Sequence, residues 1–165
     1  DLVGDGAAGQ GHVDHVLLSV LDALADCIRN FSGLSETEAY CGEEDKACHA
    51  SKGRTNRTEI LYGESGFIYV YLCYGMHWLM NVITGEKDMP QGVLIRAGEV
   101  HDGPAKLTKY LQVNGDFNKR KIYDDSEIWI EDDGFRPEIV TAPRVGIDYA
   151  GEYWRDIEWR FIAKR

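Results

Sequence analysis

The sequence predicts a single α+β domain: a mostly antiparallel, curved sheet with a protruding β-hairpin and a few helices. Three observations carry this reading. Residues 67–73 (FIYVYLC) and 77–83 (HWLMNVI) are β-branched and aromatic runs separated only by Tyr74-Gly75-Met76, which spells a hairpin. Further short strand-like runs follow along the chain, interrupted by two helical patterns. No internal repeat and no linker divides it.

Residues 1–12 are rich in Gly and Ala without periodicity and read as a mobile tail, leaving 13–165 as the domain. From Asp14 to about Asn30, apolar residues Val16, Leu17, Val20, Leu21, Leu24 and Ile28 recur at helical spacing, with acidic residues on the other faces. Asp14 is a fair N-cap, and Gly33 breaks the pattern. The run 67–73 is apolar on both faces, as a buried strand should be, and 77–83 returns from the turn. Residues 92–97 (GVLIRA) predict another buried strand. Pro104 opens a short helix to about Val113, capped by Asp102 or Gly103. Residues 127–131 (EIWIE) alternate as a strand, and Trp159 to Ala163 reads as the last one.

A chain of 165 residues can bury one core without staples. It has no apolar run of membrane-spanning length and no secretion-type leader, so a membrane setting is not expected. Cys27, Cys41, Cys48 and Cys73 are too few and scattered for a disulfide scaffold, so reduced thiols in a cytoplasm are the plain reading. Eighteen basic residues against 28 acidic ones give a net charge of −10, an unusual balance for a nucleic-acid partner. Basic residues nonetheless gather at Lys52, Arg54 and Arg57, and again at Lys119, Arg120 and Lys121. These are candidate phosphate contacts, or simply solvated loops.

Several residues could carry chemistry. In ETEAY (36–40), Glu36, Glu38 and Tyr40 share one face if the segment is extended, and a carboxylate beside an aromatic can serve as a general base. Arg96 sits in an otherwise apolar strand, where a guanidinium needs a carboxylate partner. The pair would be a structural ion pair or a device that holds a catalytic carboxylate. Tyr74 lies where the hairpin turns, either tolerated there or a wedge between base pairs. Tyr69 and Tyr71 share the parity of one strand face, in the core or at a pocket. Cys41, Cys48 and His49 lack zinc-ligand spacing, and no nucleotide loop is present, so neither metal nor cofactor is expected.

These stretches resemble the alkyladenine (3-methyladenine) DNA glycosylase family. The likeness runs through ETEAYCGEEDKACHA (36–50), YGESGFIYVYLCYGMHWLMNV (62–82), VLIRAGE (93–99), GPAKL (103–107), PRVGIDYAGE (143–152) and WRFIA (159–163), in the family's order. The combination of ETEAY with YVYxxYGMxxxxN is specific. The resemblance implies a monofunctional enzyme that flips damaged purines out of double-stranded DNA and hydrolyses their glycosidic bond, acting as a monomer. It implies that Glu38 is the general base and that Arg96 helps to place the attacking water. Tyr40, His49 and Tyr71 would enclose the flipped base, Asn81 would discourage normal guanine, and backbone groups at Ala47 and His49 would read the base edge. Tyr74 would fill the gap in the duplex, with Met76 beside it. A bacterial nucleoid, or a eukaryotic nucleus, is the setting this implies. Two other readings stand beside it: a DNA-binding relative with an impaired site, and a hydrolase of free nucleosides, for which Tyr74 would have no task.

Overall fold

The computed structural model describes residues 33–123, 127–130, 134 and 136–164. The expected tail over 1–12 and the expected helix over 14–30 lie outside the described residues. Six strands form one open antiparallel sheet: β1 (Leu34–Cys41), β2 (Ile68–Cys73), β3 (His77–Ile83), β4 (Gln91–Gly98), β5 (Ile139–Ala142) and β6 (Arg160–Ala163), in the order β2-β3-β4-β1-β6-β5. Helices α1 (Pro104–Tyr110) and α2 (Glu152–Asp156) and four short 3₁₀ turns complete the described elements. The α+β architecture expected from the sequence is the one observed.

The pleat separates two tasks. Ile68 and Val70 of β2, Met80 and Val82 of β3, and Val93 and Ile95 of β4 alternate onto one face. There they pack with Leu107 of α1 and with Val113, Ile122 and Ile128 to form the main core. Ile68, Met80, Ile95 and Leu107 are almost wholly buried, and burying such side chains stabilises by about 1.5–3 kcal/mol each. The intervening residues, Tyr69, Tyr71, Asn81 and Leu94, face the other way. Cys48, Ala50, Ile60, Leu61 and Tyr62 close over part of that second face.

The hairpin falls where the sequence puts it, with Cys73 paired to His77 and the Met76 amide donating to the Cys73 carbonyl. Both Tyr74 (φ 50°) and Gly75 (φ 68°) are left-handed, which suits the turn but costs a tyrosine about 1 kcal/mol more than a glycine. The exposed sheet edge at β2 is partly covered by residues 118–120, through Asn118 Oδ1 to the Val70 amide and through two backbone bonds at Ile68.

Two expectations are corrected. Residues 127–130 form no strand, and Glu131 lies outside the described residues; Ile128 is buried against the main core. The alternation there records an inward side chain. Helix α1 stops at Tyr110 instead of Val113, because Gln112 turns left-handed (φ 57°) and the Val113 amide closes back on Thr108. Of the two residues expected to cap it, Gly103 is the N-cap, without a side-chain cap. Strand β5 and helix α2 carried too little periodicity over four and five residues to be foreseen.

Candidate active site

The segment ETEAY is extended within β1, so Glu36, Glu38 and Tyr40 point to the second face of the sheet. Strand β4 supplies Arg96 by an irregularity. Between the pairs Thr37↔Ile95 and Glu36↔Ala97 the register advances two residues on β4 for one on β1, making Arg96 the extra residue. Such bulges re-aim a side chain and are frequent beside active sites. Here the guanidinium lies over both carboxylates: Nε is 2.8 Å from Glu36 Oε1 and Nη1 is 3.3 Å from Glu38 Oε1. Arg160 of β6 reaches Glu36 Oε1 at 3.4 Å from the opposite side.

Glu38 is fully buried (0% exposed). Its Oε1 accepts from the Val145 amide at 2.8 Å as well as facing Arg96, and its Oε2 accepts from the Tyr40 hydroxyl at 2.9 Å. Each carboxylate oxygen thus accepts one hydrogen bond, and Arg96 adds an ion pair, which together use less than the roughly four acceptor positions of an ionised carboxylate. Burial dominates the electrostatics and raises the Glu38 pKa above the ordinary glutamate value. Arg96, the Val145 amide, the Tyr40 hydroxyl and Arg144 oppose that rise without cancelling it.

In front of Glu38 lies a cavity of about 320 Å³, within the usual size range of small-ligand sites. Tyr40, His49, Tyr71, Asn81, Arg96 and Val145 are among its lining residues. His49 and Tyr71 meet edge to face with ring centroids 4.6 Å apart. The His49 Nδ1 lies 2.9 Å from the Tyr69 hydroxyl. Burial, then Arg57 and Lys52, lower the His49 pKa to about 4, so the imidazole is neutral at physiological pH. Asn81 is buried, and its amide donates to the Tyr69 carbonyl at 3.2 Å. The Ala47 amide is engaged by Asp45 Oδ1 at 3.0 Å, while its carbonyl accepts from the Tyr149 hydroxyl at 3.2 Å.

At the hairpin tip, Tyr74 lines the cavity mouth while remaining 88% exposed, and Met76 beside it is also exposed. Of the expected phosphate contacts, Lys52 is exposed and Arg57 sits over the Tyr71 ring at 5.4 Å. Arg54 is held by Glu59 (2.9 Å) and Asp88 (2.8 Å). Lys119 is exposed, Arg120 pairs with Glu127, and Lys121 lies over Phe67 and Tyr123. Among the described residues no group of three or more His, Cys, Asp or Glu side chains could hold a metal ion. Nor is any helix among them long and apolar enough to cross a membrane.

Sequence reasoning gave no site role to four residues that border this cavity or brace it: Asp45, Arg144, Val145 and Tyr149. Asp45 ends the run Glu43-Glu44-Asp45, which reads as solvated, yet it is fully buried against Arg144. Val145 acts through its backbone, which leaves no mark in the residue type. The one legible signal was Arg144 in the motif PRVG, a charge between Pro143 and apolar neighbours.

Comparison with known proteins places the chain in a family. The family model described as methylpurine-DNA glycosylase (MPG) matches residues 25–103 and 99–165. A protein of Psychrobacter cryohalolentis named "Putative 3-methyladenine DNA glycosylase" is 43% identical, over 72% of this chain and 68% of its own. Proteins of the same name from Natranaerobius thermophilus (38% identical; 83% of this chain and 84% of theirs) and Methanocella arvoryzae (40%; 78% and 74%) match as well. With a family model matching residues 25–165 and relatives at 38–43% identity over most of its length, the chain belongs to the methylpurine-DNA glycosylase family.

Proposed function

We propose that this protein flips alkylated or otherwise damaged purines out of duplex DNA and hydrolyses their glycosidic bond, with Glu38 as general base. The observation that carries the reading is a buried carboxylate whose three partners, Tyr40, Arg96 and Val145, line an aromatic-walled cavity. A water between Glu38 and the cavity would lose its proton to Glu38 as its oxygen attacks the sugar carbon. The glycosidic bond breaks and the base departs with the electron pair, leaving an abasic site. No lysine nucleophile is required, so the strand stays intact. Purines alkylated on a ring nitrogen are cationic, which favours stacking on tyrosine faces and makes them good leaving groups. A neutral His49 suits such a guest, since an imidazolium would repel it. Release of abasic sites from methylated duplex DNA tests the reading directly; activity on free nucleosides alone would replace it with the nucleoside-hydrolase reading.

The pH dependence follows from the state of Glu38. Only the ionised form can accept a proton, and its pKa is raised by burial. Excision under single-turnover conditions is therefore expected to rise with pH through a midpoint above the ordinary glutamate value of about 4.3 and then level off. A rate that stays flat down to pH 4 would remove Glu38 from the reaction.

Tyr74 tests whether duplex DNA is the substrate. Its exposed ring at the hairpin tip suits insertion into the space that a flipped base vacates. Tyr74→Ser is expected to lose stacking worth roughly 1–3 kcal/mol, or about 5- to 150-fold in excision. The loss should be larger for lesions in stable pairs than for mismatched ones, whose extrusion is easier. Thermal stability should hardly change. Equal losses on both substrates, or a large fall in melting temperature, would make Tyr74 a packing residue.

A further inference from the structure

Residues 143–147 have no regular structure, yet the Val145 amide must meet Glu38 Oε1 within 2.8 Å. What fixes them is the neighbouring side chain. Arg144 has no side-chain exposure. Its Nη1 donates to Asp45 Oδ2 (2.6 Å) and to the Ala39 carbonyl (3.0 Å), and its Nη2 donates to Asp45 Oδ1 (2.9 Å) and to the Trp154 carbonyl (3.3 Å). The guanidinium lies between the Tyr40 ring at 4.8 Å and the Trp159 ring at 5.0 Å. Asp45 is equally engaged, accepting from the Cys41 and Ala47 amides. One buried pair thus ties four segments together: β1 through Ala39, the loop after β1 through Asp45, helix α2 through Trp154, and the loop after β5 through Arg144 itself.

We propose that Asp45 and Arg144 are positioning residues for the reaction: their buried pair holds the Val145 amide on Glu38 and so keeps the carboxylate oriented and charged for its role as base. Neither residue touches the cavity occupant, since Asp45 and Arg144 stand behind the walls that Ala47, Tyr40 and Val145 present. A bidentate guanidinium–carboxylate pair is well suited to this, because its planar fork fixes direction as well as distance. The amide and the nearby Arg144 charge both favour the ionised carboxylate. The other groups facing Glu38 are Glu36 and Tyr40 on β1, Arg96 on β4, Arg160 on β6 and, more distantly, Tyr71 on β2. None of these belongs to the loop that the pair anchors.

The inference rests on the reading of Glu38 as base, and the test separates the two. The pH–rate profile of single-turnover excision on methylated duplex would be measured for the wild type, for Glu38→Gln, and for two variants. Asp45→Asn with Arg144→Gln removes both charges while keeping groups able to hydrogen-bond, which avoids stranding one buried charge. Val145→Pro deletes the single N–H that reaches Glu38 and leaves the pair intact. Both are expected to move the acidic limb upward by about 0.3–1 pH unit, with the rate recovering toward wild type above the limb. Affinity for the duplex should be unchanged. A purely structural role would lower the rate at every pH and leave the midpoint in place, and that result in either folded variant would overturn the inference. If Glu38→Gln retains activity, the reading of the base fails instead. Should the double variant not fold, the Val145→Pro limb decides alone.

Discussion

Glu38→Gln is expected to release methylated purines about 10²- to 10⁴-fold more slowly than the wild type, with affinity for damaged duplex preserved. Glutamine keeps the shape and the acceptor oxygen but cannot take the proton of an attacking water. Nothing that reaches DNA is touched, because Glu38 is wholly buried behind Tyr40, Arg96 and Val145. The change should also spare stability. The folded-state pKa of Glu38 is raised above its unfolded value. The folded chain therefore holds that proton more tightly, and the stability this contributes is present at low pH and lost as pH rises through the folded-state value. At pH 8 the wild type bears the full burden of a charged, desolvated carboxylate, and the amide does not. The melting temperature of Glu38→Gln at pH 8 should equal or exceed that of the wild type, with the advantage shrinking as pH falls. Near wild-type excision would end the assignment of the base, and a large fall in melting temperature would recast Glu38 as a structural partner of Arg96.

The second large effect is on the fold. Arg144→Ala leaves Asp45 with no cation in a fully buried site, and breaking such a pair typically costs about 3–5 kcal/mol. For a domain of this size that corresponds to a fall in melting temperature on the order of 10 °C. The four hydrogen bonds of Arg144 and its contacts with Tyr40 and Trp159 are lost together. Replacing both members by neutral side chains should cost much less, because no lone charge remains. Denaturant unfolding of the single and double variants measures the difference. A loss below about 1 kcal/mol for Arg144→Ala would mean that solvent reaches the pair and replaces what the alanine removes.

The local sequence carried the central strands well. Runs such as 67–73 and 77–83 are long, apolar on the right parity and joined by a turn that contains Gly75, which tolerates left-handed backbone, so period and turn chemistry agree. Residues 127–130 misled for the opposite reason: Ile128 and Ile130, two apart and both turned to the core, have the period of a strand whether or not a ladder forms. In the candidate site, Arg96 stood out because a charged side chain in an apolar strand demands a partner, whereas Glu38 was marked only by its alternation with Glu36 and Tyr40 and by the family resemblance. The bulge that brings them together was not legible, since register depends on pairing across β1 and β4 and leaves no trace in either strand alone. The Asp45–Arg144 pair joins positions 99 residues apart. Asp45 belongs to a run of three acids, and only tertiary burial distinguishes it from the two before it.

The pleat of the central strands has a consequence for how this protein tolerates change. The aliphatic side chains that pack with α1 and the groups that face the cavity alternate along the same strands, so the two populations meet only through the backbone between them. Substitutions far enough apart to share no partner combine additively. Resizing the cavity through residues of the loops 44–62 and 143–149 can therefore be offset by independent stabilising changes beneath α1. For directed evolution toward other guests of the cavity, stability and binding range can be adjusted on opposite sides of one sheet.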